Sequence, residues 1–129
     1  MGNTSEHTKR LKDIIRCFMI EKKSIMDEID DVLSIPGVDM VQFGPSDYSM
    51  SSGINLKDNI ENAKKVECRM IKAAIDHGVR PRCEIQSIEE AEYYINLGVK
   101  DFSIGDQMKL LMRDWIKDGS DIRKAIGNI

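Results

Sequence analysis

The feature that most limits the fold of this sequence is a fourfold alternation of short apolar segments with longer amphipathic ones. We predict strands over the apolar stretches, which are short and rich in β-branched and aromatic residues: 14–20, 40–43, 79–85 and 101–104. Each is followed by a segment with apolar residues at helical spacing. Because strands that alternate with helices pair in parallel through right-handed crossovers, we predict an α/β chain of four βα units.

Local signals place the helix ends. Ser24 and Ser87 each precede an acidic residue by three positions, which is the pattern of a capping box at the start of a helix. A long helix over about 56–77 is expected to end at Gly78, and Gly119 is expected to break the last long helix. A short helix over 121–126 would follow that break.

The domain prediction is a polar, loose leader over residues 1–13 followed by one domain over 14–129. Two architectures fit four parallel βα units, a small open sheet or half of a (β/α)₈ barrel. The 129 residues are about half of the ~250 that a full barrel needs. Pattern alone favours the open sheet slightly, since a half barrel leaves two strand edges unpaired.

Composition excludes some classes of protein. With a net charge of −3 and a pI near 5.4, the chain has no basic stripe for nucleic acid. No apolar run approaches the ~18 residues that span a bilayer, so we expect no membrane segment. Cys17, Cys68 and Cys83 are widely spaced and form no CxxC pair, which predicts buried structural thiols in a reduced, cytoplasmic protein.

Two carboxylates are candidates for a metal site. Glu21 and Asp47 each lie just past the end of a predicted strand, and the two strands are consecutive. Because the carboxyl ends of neighbouring parallel strands lie side by side, both could hold Mg²⁺ or Mn²⁺. Residues 44–47, Gly-Pro-Ser-Asp, read as a loop whose Ser46 and Asp47 amides could face an anion. The alternative is a solvated Glu21 and an Asp47 that only caps a turn.

These residues carry a resemblance. Met19-Ile20-Glu21 and the segment PGVDMVQFGPSDYSM at 36–50 resemble the HpcH/HpaI aldolase family, which includes 2,4-dihydroxyhept-2-ene-1,7-dioate and 2-dehydro-3-deoxyglucarate aldolases. The family pattern is a strand ending in Glu, a "pGvD" turn and a strand ending in "GPxDxS". Later segments also fit, namely GVRPR at 78–82, SIEEA at 87–91 and GVKDFSIG at 98–105. The resemblance covers about residues 15–118.

The resemblance implies the C-terminal half of a (β/α)₈ barrel and a metal-dependent class II pyruvate aldolase. Such an enzyme cleaves a 4-hydroxy-2-oxo acid to pyruvate and an aldehyde. By the family pattern, Glu21 and Asp47 are the metal ligands, with Mg²⁺ the first choice and Mn²⁺ or Co²⁺ as others. Gly44, Pro45, Ser46 and Asp47 fall on the stretch that binds the substrate carboxylate.

The family's pyruvate-binding Arg and general-base His belong to the first half of the barrel, so no catalytic residue is assigned here. His7 lies in the polar leader and His77 at a helix end, and both are expected to be solvated. Arg16, Arg80 and Arg82 lie within or at the start of strands, so they do not replace the missing Arg. In the loop after the last strand the family has Gly-x-Asp, whereas Asp106 directly follows Gly105 here.

Other interpretations stay open. The chain could be a non-catalytic half-barrel module, paired with a separate N-terminal half, or a citryl- or malyl-CoA lyase-like enzyme. Because a half barrel exposes two strand edges, we expect a homo-oligomer or a complex with the missing half. The last long helix has an apolar stripe, which is expected to face the core or another subunit: Met108, Leu111, Met112 and Trp115.

Overall fold

The computed structural model describes residues 4–127; the side chains of Thr4, Ser5 and His7 lie outside the described part, so the prediction for His7 is not tested. Four strands alternate with helices along the chain. The strands are β1 Cys17–Ile20, β2 Met40–Phe43, β3 Arg80–Ile85 and β4 Asp101–Ile104. The helices are α1 Thr4–Lys12, α2 Lys23–Asp27, α3 Ile29–Leu33, α4 Pro45–Ser51, α5 Ile60–Asp76, α6 Ile88–Asn96 and α7 Gln107–Ala125, with a 3₁₀ turn at Leu56–Asp58.

The four strands form one parallel sheet in the order β1-β2-β3-β4, which confirms the predicted class of fold. The observed bounds of β2 and β4 are the predicted ones, and β1 begins three residues later than predicted. Successive strands are neighbours throughout, as in barrels, whereas an open doubly wound sheet reverses its order at a switch point. The topology therefore favours the half barrel over the open sheet.

The two faces of the sheet differ because side chains alternate along each strand. One face is packed beneath the helices and carries buried apolar residues such as Ile20, Val41 and Cys83. The other face carries Gln42 and Arg82, whose side chains are joined by a hydrogen bond of 2.9 Å. The packed face supplies the core that holds the strand ends in place.

The N-terminal segment differs from its prediction. Residues expected to form a loose leader fold as helix α1, which carries Glu6 in its first turn and basic residues in its last. Charges in these positions complement the helix dipole, and Glu6 also forms an i,i+4 ion pair with Arg10 at 3.9 Å. A polar sequence can therefore be helical without packing an apolar face.

One of the two predicted capping boxes is correct. Ser87 caps α6, where its hydroxyl accepts a bond from the Glu90 amide at 3.3 Å. The prediction for Ser24 is wrong, because α2 begins at Lys23 and its first amide donates to the hydroxyl of Ser51 at 2.9 Å. The first backbone N–H of α2 is thus satisfied by a side chain that lies 28 residues away in the sequence.

Gly119 does not break the last helix, contrary to prediction. Helix α7 runs through it to Ala125, since glycine in a helix costs only about 1 kcal/mol relative to alanine. By contrast, Gly78 ends α5 as predicted, with a φ of +72°.

Gly119→Ala is therefore expected to increase the helix content and to stabilise α7 by about 0.5–1 kcal/mol. A Cβ at position 119 would meet no atom within 4 Å. Far-UV circular dichroism during thermal unfolding measures both effects. Gly78→Ala is the matched control and is expected to lower the melting temperature, because its backbone has a positive φ. Equal effects of the two substitutions would contradict this account.

The stripe on α7 is exposed. Trp115 is 63% exposed and none of the described residues of α7 is buried, so the core interpretation is wrong for this chain. The interface interpretation stays a prediction.

The three cysteines differ in their exposure. Cys83 is buried as predicted, and Cys68 is partly buried. Cys17 is exposed, contrary to prediction, because β1 lies at the edge of the sheet. Within residues 4–127 we find no helix that could span a membrane.

Candidate functional site

The candidate site lies where β1 and β2 end side by side. Glu21 follows the last residue of β1, and Gly44 follows the last residue of β2. The Gly44 amide donates to the Ile20 carbonyl at 3.0 Å, so the two strands stay paired up to the point where these residues begin. Asp47 lies three residues further on, in the first turn of α4.

The side chain of Glu21 lies directly against Gly44. A Cβ added at position 44 would lie 2.9 Å from the Glu21 Cβ and 3.3 Å from one of its carboxylate oxygens, Oε2. Only glycine leaves this space, which the carboxylate uses as it passes over the end of β2. The sequence therefore needs glycine here for close approach rather than for an unusual φ, which is −109°.

Residues 44–47 are not a loop, as the sequence suggested, but the start of α4. Gly44 is the N-cap and Pro45 the first helical residue, a position where the missing N–H of proline costs nothing. The first backbone bond of the helix is donated by Tyr48 to the Gly44 carbonyl at 2.9 Å. By helix geometry, the amides of Ser46 and Asp47 precede this bond and have no intrahelical acceptor.

Ser51 joins the two halves of the site, and no local sequence pattern indicates this role. Its hydroxyl donates to the Tyr48 carbonyl at 2.8 Å and accepts from the Lys23 amide at 2.9 Å. It thereby joins the end of α4 to the segment that follows Glu21. The position of α4 relative to β1 is fixed by this bridge and by Tyr48, whose buried ring lies 5.3 Å from that of Phe43.

The residues present fit a hard divalent cation. Among the described residues we find no group of three or more acidic, histidine or cysteine side chains that could hold a metal. Magnesium, however, is commonly bound through one or two carboxylates and completes its shell with water and substrate. Glu21 and Asp47 are two carboxylates near these strand ends, and the space that Gly44 leaves lets the Glu21 carboxylate lie at the end of the strand. Their role as a metal-binding pair stays a prediction.

Arg16, Arg80 and the described histidine are engaged elsewhere, and Arg82 bonds to Gln42 on the polar face of the sheet. Arg16 forms an ion pair with Asp39 at 3.0 Å before β1 begins, and this contact lowers the pKa of the Asp39 carboxyl. Arg80 pairs with Asp101 at the start of β3, so its side chain is held at the end of the strand opposite to the site. His77 lies at the end of α5, with its Nε2 3.0 Å from Asp30.

Beside the candidate site lies a cavity of about 870 Å³. Pro45 and Ser46 form part of its wall, and residues of α5 and α6 form most of the rest. No local pattern reveals such a space, because it depends on how α5 and α6 lie against the ends of β2 and β3.

A partly buried polar pair lies in the wall of this cavity. The Tyr94 hydroxyl donates to the Glu67 carboxylate at 2.9 Å, and burial raises the pKa of Glu67 above its usual value. Burial, followed by the charge of Glu67, also raises the pKa of the Cys83 thiol to about 12, so this thiol is protonated and unreactive at neutral pH.

The fold matches those of several solved proteins. Citrate synthase SbnG aligns with 95% of this chain at a TM-score of 0.79 and 20% identity, over 51% of its own length. The HpcH/HpaI aldolase from Desulfitobacterium hafniense DCB-2 aligns with 95% of the chain at 0.78 and 22% identity, over 48% of its length. Macrophomate synthase aligns with 99% of the chain at 0.73 and 16% identity, over 46% of its length.

These likenesses establish the fold and its extent. The chain spans about half the length of each of these structures, which are of the TIM-barrel type, so the half-barrel prediction is confirmed. A comparison with curated proteins finds no match. The model of the HpcH/HpaI aldolase/citrate lyase family matches residues 4–112, well over half of the sequence. The chain therefore belongs to the HpcH/HpaI aldolase/citrate lyase family.

Proposed function

We propose that this chain carries the metal-binding and pyruvate-binding part of a cytoplasmic class II aldolase. Such an enzyme cleaves a 4-hydroxy-2-oxo acid to pyruvate and an aldehyde. The observation that carries the proposal is the placement of Glu21 against Gly44, at paired strand ends, with Asp47 in the first turn of α4. The family supports lyase chemistry in general, and this arrangement supports the metal-dependent aldolase in particular.

In this proposal Glu21 and Asp47 hold the cation, with Mg²⁺ as the first choice and Mn²⁺ or Co²⁺ as alternatives. When bound, the cation supplies a Lewis acid that stabilises negative charge on the keto oxygen of the substrate. The amides of Ser46 and Asp47 donate to the substrate carboxylate, for which the helix start leaves them available. Gly44 keeps the backbone of α4 close to Glu21, so that the Glu21 carboxylate and the amides of α4 can act at the same bound substrate.

The Arg and the His of the family pattern have no counterpart among the described residues at the strand ends. Arg16 and Arg80 are paired with carboxylates near the opposite end of the strands, and His77 is bonded to Asp30. The general base and a further carboxylate-binding residue would therefore come from another part of the barrel. The same observation favours a second candidate, a non-catalytic half-barrel that serves in assembly.

Pyruvate binding separates these two functions. We expect calorimetric titration with pyruvate to show binding in saturating Mg²⁺ and none in EDTA. Ser46→Pro removes one amide donor in the first turn of α4, where this N–H has no intrahelical acceptor, and we expect it to weaken pyruvate binding about tenfold, the loss of about 1.4 kcal/mol. Its effect on Mg²⁺ affinity should be small.

Ser46→Ala is the matched control, because it keeps the amide and removes only the hydroxyl. Its pyruvate affinity should equal that of the wild type. Pyruvate binding that is the same with and without Mg²⁺ would contradict the aldolase proposal. Absence of pyruvate binding in saturating Mg²⁺ would favour the non-catalytic module.

A further inference from the structure

The apolar layer beneath the helices is left open at both edges of the sheet. In the centre of the sheet this layer is covered, since Val41 is 0% exposed. Phe18 of β1 and Ile104 of β4 lie on the same face as Val41, yet they are 49% and 76% exposed. Uncovered apolar residues therefore lie at the two edges of the sheet.

The two edges are also free for strand pairing. Within residues 4–127, β1 pairs only with β2 and β4 only with β3. An open strand edge exposes backbone donors and acceptors, and it readily pairs with another strand. All four strands point in the same direction, so the edge of β1 on one molecule and the edge of β4 on another can pair in parallel.

We propose that two copies of this chain close into an eight-stranded barrel about a twofold axis that runs along the barrel, with β4 of each copy beside β1 of its partner. A rotation about this axis preserves strand direction, and it generates both joints at once. Eight is the number of strands at which parallel βα units form a closed, packed barrel. The proposal rests on the sheet and is independent of the metal site.

The area available at the joints suits a stable dimer. Each half-exposed apolar side chain can bury on the order of 100 Å², so seven of them supply roughly 700 Å² per copy, close to the ~800 Å² of a standard interface. They lie next to β1 and β4: Ile14, Ile15, Phe18, Met19, Ile104, Met108 and Leu111.

Closure would also bring together the two polar faces of the sheet. The four charged side chains there already have hydrogen-bond partners within each copy. Arg80 bonds to Asp101, and Arg82 bonds to the neutral amide of Gln42. The Glu84 carboxylate accepts a bond from the Gln86 amide at 3.4 Å. Burying an ion is costly mainly when it lacks a partner. Closure therefore leaves none of these four side chains without its bond.

Solution mass tests the association. We expect the chain to have twice its 14.7 kDa mass in light scattering coupled to gel filtration. Phe18→Lys at the β1 edge should weaken the dimer at least tenfold. Ile95→Lys is the matched control, because Ile95 is similarly exposed but lies on α6, away from both edges. A folded monomer at every concentration would overturn the proposal.

Cross-linking tests the geometry without depending on that variant. Cys17 of β1 is exposed, and Ser103 of β4 lies on the same face of the sheet. With Ser103→Cys, mild oxidation should give a disulfide-linked dimer, which needs no room for a linker inside the barrel, whereas Lys72→Cys on α5 should not. A dimer that resists Phe18→Lys and gives no such product would overturn the proposal. So would preferential one-to-one binding of a separate N-terminal half.

Discussion

Replacing Glu21 by Gln together with Asp47 by Asn is expected to lower the affinity for Mg²⁺ by at least about 100-fold, or roughly 2.7 kcal/mol. Magnesium requires oxygen ligands and in proteins is held by one or two carboxylates. The double substitution removes both charges while it keeps the shape of the side chains. Isothermal titration with Mg²⁺ and with Mn²⁺ measures the change.

The control is Glu28→Gln with Asp31→Asn, which removes the same charge from exposed positions around the start of α3. The Glu28 side chain makes no capping bond there, so this variant should keep both its fold and its Mg²⁺ affinity. Equal affinities in the wild type and the Glu21/Asp47 variant would rule out this pair as the metal site.

Thermal unfolding gives a second measurement of the same effect. A ligand that binds only the folded state at 100 times its Kd stabilises that state by about 2.7 kcal/mol. Mg²⁺ should therefore raise the melting temperature of the wild type and of the control variant. It should leave the Glu21/Asp47 variant unchanged, even if that variant differs somewhat in basal stability.

The sequence predicts those parts of the fold that depend on neighbouring residues. The strands β2 and β4 are recognised from short apolar runs between turn residues, and Ser87 caps α6 through the amide three residues away. Parallel order follows from the alternation of strands and helices. The juxtaposition of Glu21 and Gly44 follows in turn, because both come directly after paired strands.

The features that were wrongly predicted from the sequence depend on contacts with distant residues or on the balance between competing local preferences. Ser24 has the capping pattern, but Ser51, which is far away in sequence, satisfies the first amide of α2. Gly119 resembles a helix break, but the flanking residues of α7 outweigh its small cost. The start of α4 at Pro45 is different, because residues 44–47 were predicted as a loop although a local signal for a helix was present. Proline is common at the first position of a helix.

Tyr94→Phe is expected to lower the free energy of unfolding at neutral pH by about 1–3 kcal/mol, because it leaves the partly buried Glu67 carboxylate without its donor. Tyr93→Phe is the matched control. The Tyr93 hydroxyl lies 3.1 Å from the Cys68 thiol, a weak partner, and the ring is 44% exposed. Its removal should cost less than about 0.5 kcal/mol.

The effect of Tyr94→Phe should also depend on pH. Burial raises the pKa of Glu67 above its ordinary 4.5, and the Tyr94 hydroxyl opposes this shift. The folded state therefore binds a proton more tightly than the unfolded state does, and the contribution of Glu67 to stability falls as pH rises from 4.5 through the folded-state pKa. Without the hydroxyl, the folded-state pKa rises further and the loss becomes larger.

Urea unfolding at about pH 4 and about pH 7.5 should then show a larger cost of Tyr94→Phe at the higher pH. Glu67→Gln removes the titrating group, so adding Tyr94→Phe to it should cost the same at both values. A cost of Tyr94→Phe that is equal at the two pH values in the presence of Glu67 would show that the hydroxyl does not stabilise its ionised form. In that case the wall of the cavity would hold Glu67 as a neutral acid whether or not Tyr94 donates to it.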